Sequence, residues 1–247
     1  MSKINKLLHP ILFSDPMIKA VHSGRKTQTR RIIKFQPPDD TDTTVYKFAT
    51  NVTGPSSKNF NKHHWLGFDR NDEIKVNDPN QPYFRCPYGN VGDILWVRET
   101  FSRIPKTAYW HDLSIPHTES TDDYSWYIYR AGWNRSKSGI CWKPSIHMPY
   151  EACRIWLEIT NIRVERLQDI SEQDAWAEGC KRGEPADNGG YFPADEPDPR
   201  GRGELGWDCA RDWYADLWEL IHGENSWDAN PWVWVIEFKI TEKPEVK

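Results

Sequence analysis

The sequence predicts an α+β fold in which a small mixed β-barrel carries flanking helices. Two observations lead there. Short alternating apolar runs bounded by Gly, Asn and Asp recur along the 247 residues, while only three segments have helical periodicity. No G-x-G-x-x-G, Walker or G-x-S-x-G motif marks a parallel, doubly wound sheet. Fourteen Trp, ten Tyr and nine Phe supply the apolar area for a core in an otherwise hydrophilic chain.

The elements follow in order. Ile11 to Phe13 reads as a strand. A helix starts after it, with Ser14 or Asp15 as N-cap and Pro16 in the first turn, and Gly24 ends it in a left-handed conformation. "TQTRRIIKF" reads as the next strand. Residues 36–85 are polar and rich in Pro, Asn, Asp and Lys, an insertion with little core of its own. Gly92-Asp93 makes a turn into a strand from Ile94 to Thr100, residues 102–123 read as loop, and "YSWYIYRAG" alternates as a strand.

"CRIWLEITNIRVERL" is the clearest β segment, with Ile155, Leu157 and Ile159 on one face and a break near Asn161 before Ile162 and Val164. "DISEQDAWAEGC" gives a short helix capped by Ser171, with Asp174 three residues on and Gly179 as its stop. Residues 183–206 form a second insertion or lid, dense in Gly, Pro, Asp and Glu. "WDCARDWYADLWELIHG" has apolar and aromatic residues at helical spacing, with Gly223 as the stop. "WVWVIEFKI" places Trp232, Trp234, Ile236 and Phe238 on one strand face. The whole reads as a single domain, 1–247, with the two insertions.

Composition excludes several functions. A formal net charge of −4 argues against bulk duplex binding through a basic surface, though not against a local patch. Five widely spaced Cys, at 86, 141, 153, 180 and 209, contain no C-x-x-C and indicate neither a disulfide scaffold nor a zinc ribbon. His63-His64 lies in a polar region and reads as solvated rather than metal-ligating. "MSKINKLLHPILF" has no apolar run long enough for a signal peptide or a membrane span, so the sequons at Asn51 and Asn134 carry little meaning. The expectation is a soluble, cytoplasmic protein without a metal or cofactor.

Against this background "GRKTQTRR", Gly24 to Arg31, stands out. It is a charged corner between helix and strand, a grip for phosphates, or a site of chemistry. An amine at Lys26 three residues from the Thr29 hydroxyl, beside a glycine, suits a base and a nucleophile. A regular strand through both would send them to opposite faces, so convergence requires Lys26 on the bend and Thr29 in the strand.

With "GDILWVRE" and "ISEQDAWAEG" following, "GRKTQTR" resembles the ASCH family of PUA-like domains, over roughly 11–34, 86–100, 141–182 and 225–240. "WKPSIHMP" and "SWDANPWVWVIEF" are similar to longer members met in phage and prophage genomes. The resemblance implies a PUA-like barrel with a cleft for a nucleobase or nucleoside. Some family members are amidohydrolases that remove acyl groups from the exocyclic nitrogen of cytosine, with Lys and Thr in G-x-K-x-x-T and a Glu on a later helix. Lys26, Thr29 and Glu178 occupy those positions. Other members have been proposed to bind or cut RNA.

Chemistry assigns roles to these residues. A desolvated Lys26 is a usable base, and Thr29 attacks the acyl carbon or holds the water that does. Glu178, at the negative end of its helix, is expected to take up a proton more readily and to deliver it to the leaving amine. Glu99 is a candidate to accept from the cytosine amino group or to pair with Arg30 or Arg98. Trp96 and Trp234 are candidates to stack on the base or belong to the core. Arg25, Arg30 and Arg31 would grip phosphates if the protein instead read nucleic acid.

Overall fold

A computed structural model describes residues 7–34, 36, 46–49, 64–67, 86–109, 114–135, 139–185, 191–194 and 207–245. The fold is α+β, built mostly of strands. Its main sheet has the order β1-β5-β9-β12-β2, formed by β1 (Leu8–Leu12), β2 (Gln28–Ile32), β5 (Ile94–Arg98), β9 (Trp156–Arg166) and β12 (Trp232–Thr241). Only β1 and β5 run parallel; the other neighbours are antiparallel.

The long central strands show why these segments pair. Along β12, Trp232, Trp234, Ile236 and Phe238 enter the central cluster, while Val233 and Val235 enter a second cluster on the other face. Both faces of this strand are therefore covered. On β9, Leu157 and Ile159 join Ile162 in the central cluster across a register shift opposite Glu237 and Phe238. The break expected near Asn161 is thus a bulge, in which Thr160 is the extra residue and alternation resumes beyond it.

Helix α1 (Asp15–His22) carries Pro16 in its first turn after an extended Ser14 and closes the central cluster with Ile18 and Val21. Gly24 follows it at φ +72°. The second cluster packs β12 against α2 (Glu172–Ala177) and α3 (Ala210–His222), whose Trp213, Tyr214 and Trp218 are buried. On α2 the Ser171 hydroxyl caps the Asp174 amide at 3.1 Å. No helix among the described residues is long and apolar enough to cross a membrane.

Three expectations need correction. The barrel is not closed: among the described residues no ladder joins β1 to β2, and a side chain bridges the gap, Arg31 Nη2 donating to the Leu12 carbonyl at 2.8 Å. The expected strand over Ile94–Thr100 stops at Arg98. The segment read as loop over 102–123 contains β6 (Phe101–Pro105) and β7 (His117–Glu119), which flank β8 (Ser125–Tyr129) in a separate three-stranded sheet. Their exposed charged residues hid them; Phe101, Ser102 and Ile104 are buried only because β8 and the 140s pack on them.

Within the two insertions the described residues form hairpins, β3 (Tyr46–Ala49) with β4 (His64–Gly67) and β10 (Arg182–Pro185) with β11 (Tyr191–Pro193). Apart from Gln36 and Ala194, the remainder of both insertions, with His63 and Asn51, lies outside the described residues.

Leu157 is fully buried in the middle of the sheet. Leu157→Ala is expected to cost about 2–5 kcal/mol, read as a lower urea midpoint at unchanged slope. A loss under about 1 kcal/mol would mean that β9 does not carry the core.

Candidate active site

The site starts where α1 stops. Beyond Gly24 the amides of Arg25 and Lys26 both donate back to the Ala20 carbonyl, at 2.9 and 3.1 Å, which turns the chain towards α2. The Thr27 amide then donates to the Ala177 carbonyl at 2.9 Å, and Lys26 forms an isolated bridge with Glu178. β2 begins only at Gln28. Lys26 therefore lies on the bend and Thr29 in the strand.

The close approach of α1 and α2 depends on Gly179. It sits at φ +111°, and a Cβ there would lie 2.9 Å from Ala20 Cβ and 3.3 Å from Lys26 Cβ. Only glycine permits both the left-handed conformation and that contact.

Lys26 and Glu178 meet in the space this creates. Lys26 Nζ donates to Glu178 Oε2 at 2.8 Å and to the Glu178 carbonyl at 2.9 Å, and both side chains are almost wholly buried. Arg30 Nη1 donates to the other oxygen, Oε1, at 3.2 Å. Arg30 also reaches Glu165 at 3.0 Å and Asp174 at 3.4 Å, and its guanidinium lies 6.0 Å from the Tyr214 ring. Arg163 extends the network to Glu165, Asp174 and Glu237.

Burial pushes the Lys26 ammonium below its ordinary range, and the Glu178 carboxylate opposes that shift. Burial, reinforced by Glu178, raises the Tyr214 phenol well above its usual value and keeps it neutral.

Glu178 lies at the C-cap of α2, as expected, but each oxygen already accepts from a cation. Oε2 holds Lys26 and Oε1 holds Arg30. Thr29 is also buried, paired in register with Ile236. It shares its strand face with Arg31, whose guanidinium lies 5.7 Å from the Phe13 ring; Lys26 Nζ lies 5.9 Å from the same ring. No hydrogen bond joins Thr29 to Lys26 or Glu178 among the described residues. The structure thus assembles Lys26, Glu178 and Arg30 directly, with Thr29 on the adjoining strand face.

The remaining candidates lie elsewhere. Glu99 pairs with neither Arg30 nor Arg98: Arg154 Nε and Nη2 grip its two oxygens at 2.8 Å each. Burial raises the Glu99 carboxyl, and Arg154 opposes the rise. Trp96 packs edge-on against Tyr150 in a third cluster, on the sheet face away from the central one. Trp234 is 2% exposed in the central cluster and offers no free face to a base.

Arg154, Glu165 and Asp174 carry the ion pairs without having been singled out as site residues. Asp174 was legible only as the partner of a cap; the other two carry no local signal. Among the described residues no group of three or more His, Cys, Asp or Glu is placed to hold a metal. Comparison of the chain with protein-family models, curated proteins and solved structures finds no match.

The two partners of the pair are not equivalent. Lys26→Met leaves Glu178 with Arg30, whereas Glu178→Gln strips a carboxylate from two buried cations. Glu178→Gln is expected to cost about 3–5 kcal/mol, Lys26→Met less, and the double variant less than the sum. Urea unfolding of the three measures this, and strict additivity would contradict the pairing.

Proposed function

We propose that the protein is an amidohydrolase that removes the acyl group from N4-acylated cytosine or cytidine. The observation that carries this reading is the buried Lys26–Glu178 pair, whose lysine shares the Phe13 ring with Arg31 from the strand face that also carries Thr29. Neutral Lys26 takes the Thr29 proton as Thr29 Oγ attacks the acyl carbon, or takes it from a water that Thr29 holds. Glu178 stabilises the ammonium that forms. That ammonium returns the proton to the departing N4 nitrogen as the C–N bond breaks; if Thr29 is acylated, water then releases the acid. Desolvation makes Lys26 a base, and Glu178 holds it in place.

The ASCH resemblance supplies the substrate class, and the PUA-like fold belongs to the same proposal. A reader or cleaver of RNA through the same stretch has less support, because its cations are committed inward. Arg30 is wholly buried among acids, Arg31 donates to Leu12, and Arg25 donates to Ser23 and to the Gly179 carbonyl.

Ultraviolet monitoring of N4-acetylcytidine with the purified chain tests the reading. The parent is expected to yield cytidine, and Lys26→Met to slow the reaction by about 10²–10⁴-fold. Thr29→Val is expected to abolish it with the urea midpoint nearly unchanged, since no hydrogen bond is lost. The rate should climb with pH as Lys26 loses its proton and level off below the 10.5 of an ordinary lysine. A folded parent that leaves the substrate intact, or a fully active Thr29→Val, overturns the proposal.

A further inference from the structure

Helix α1 has two working flanks. Ala20 meets Gly179 and the Lys26–Glu178 pair on one side. Asp15, Ile18, Lys19 and His22, spaced as one helical stripe, lie on the other. Asp15 pairs there with Arg130, next to the three-stranded sheet. Between this stripe and residues 131–132 lies a cavity of about 600 Å³, lined among others by Ile18, Lys19, His22, Pro116, Ala131 and Arg154. That volume lies within the ordinary range of small-molecule sites.

Arg154 is the built part of this cavity. Its guanidinium stacks 3.9 Å from the Tyr129 ring. Nε and Nη2 are spent on Glu99, with Nη2 also 3.3 Å from the Ala131 carbonyl. Nη1 makes no hydrogen bond among the described residues, and the side chain, 17% exposed, lines the cavity. Glu99, 0% exposed, fixes the guanidinium from behind, and the Tyr129 ring holds its face.

We propose that this cavity binds a small organic anion, a carboxylate or phosphate monoester on an apolar body, through Arg154 Nη1 and Lys19. Ile18, Pro116 and Ala131 supply the apolar wall. The charges around it, Lys19, Arg130 and Arg154 against Asp15 and Glu99, leave one positive charge in excess. Burial and the nearby Arg154 lower the His22 pKa, so its ring stands as a neutral hydrogen-bonding group at the rim. The guanidinium is positioned before any ligand arrives, which spares the ligand the cost of ordering it. The site is separate from the proposed reaction and does not depend on it.

Calorimetric titration and saturation-transfer NMR of the full chain with benzoate, phenyl phosphate and neutral benzamide test the site. At least one anion is expected to bind and benzamide not to; the tighter of the two anions identifies the head group. Lys19→Glu, at an exposed position, should weaken the anion about tenfold or more. The double variant Glu99→Gln/Arg154→Gln leaves no unpaired buried charge and should abolish binding. Absence of anion binding, equal binding of benzamide, unchanged affinity in Lys19→Glu, or anion binding retained by the folded double variant overturns the proposal. A chain that binds benzoate in this way but leaves N4-acetylcytidine intact would lose the proposed reaction and keep this site.

Discussion

A carboxylate that gives up its water must be answered by cations, and the geometry around Glu178 follows from that requirement. The side chain is 3% exposed, and both oxygens are held, one by Lys26 and the other by Arg30. Lys26 sits on the bend after α1 and Arg30 on β2, so one carboxylate ties a helix end, a sheet edge and the C-cap of α2 together. Arg30 carries the tie onward to Glu165 on β9, and Arg163 carries it to Glu237 on β12. Isolated buried pairs of this kind often stabilise less than apolar packing of the same volume. What the network does is fix positions, and it fixes a lysine whose charge is disfavoured by burial.

The same physics explains what the sequence disclosed. β12 was legible because the strand is covered on both faces by large side chains, Trp232, Trp234, Ile236 and Phe238 on one and Val233 and Val235 on the other. The bulge near Asn161 was legible as a break in alternation, and the Ser171 cap as a local motif. β6 and β7 were not, because their burial comes from β8 rather than from their own pattern. Closure of the sheet was not legible either: it depends on how far β1 and β2 stand apart, which no local spacing encodes.

Charge pairing was the least legible feature. Glu99 finds Arg154 55 residues away, and neither neighbour in "WVRET" serves it. The grouping of Lys26 with Glu178, 152 residues apart, came from family resemblance rather than from spacing. What spacing did supply was the bend: Gly24 at φ +72° lets Lys26 leave the strand direction before Thr29 enters it.

The basic stretch that first drew attention can now be reconciled with a net negative chain. Arg25, Lys26, Arg30 and Arg31 all donate to oxygens of this same chain, so the density of positive charge is consumed internally instead of being offered to phosphates. The Thr29 hydroxyl is the exception, since it has no such bond among the described residues. An ion-pair network selected for structure alone has no use for a hydroxyl at that position, where valine would fill the same space without a polar atom to desolvate. In the proposed reaction that hydroxyl is the nucleophile or the water-holder, which places the weight of the functional argument on the smallest side chain in the group.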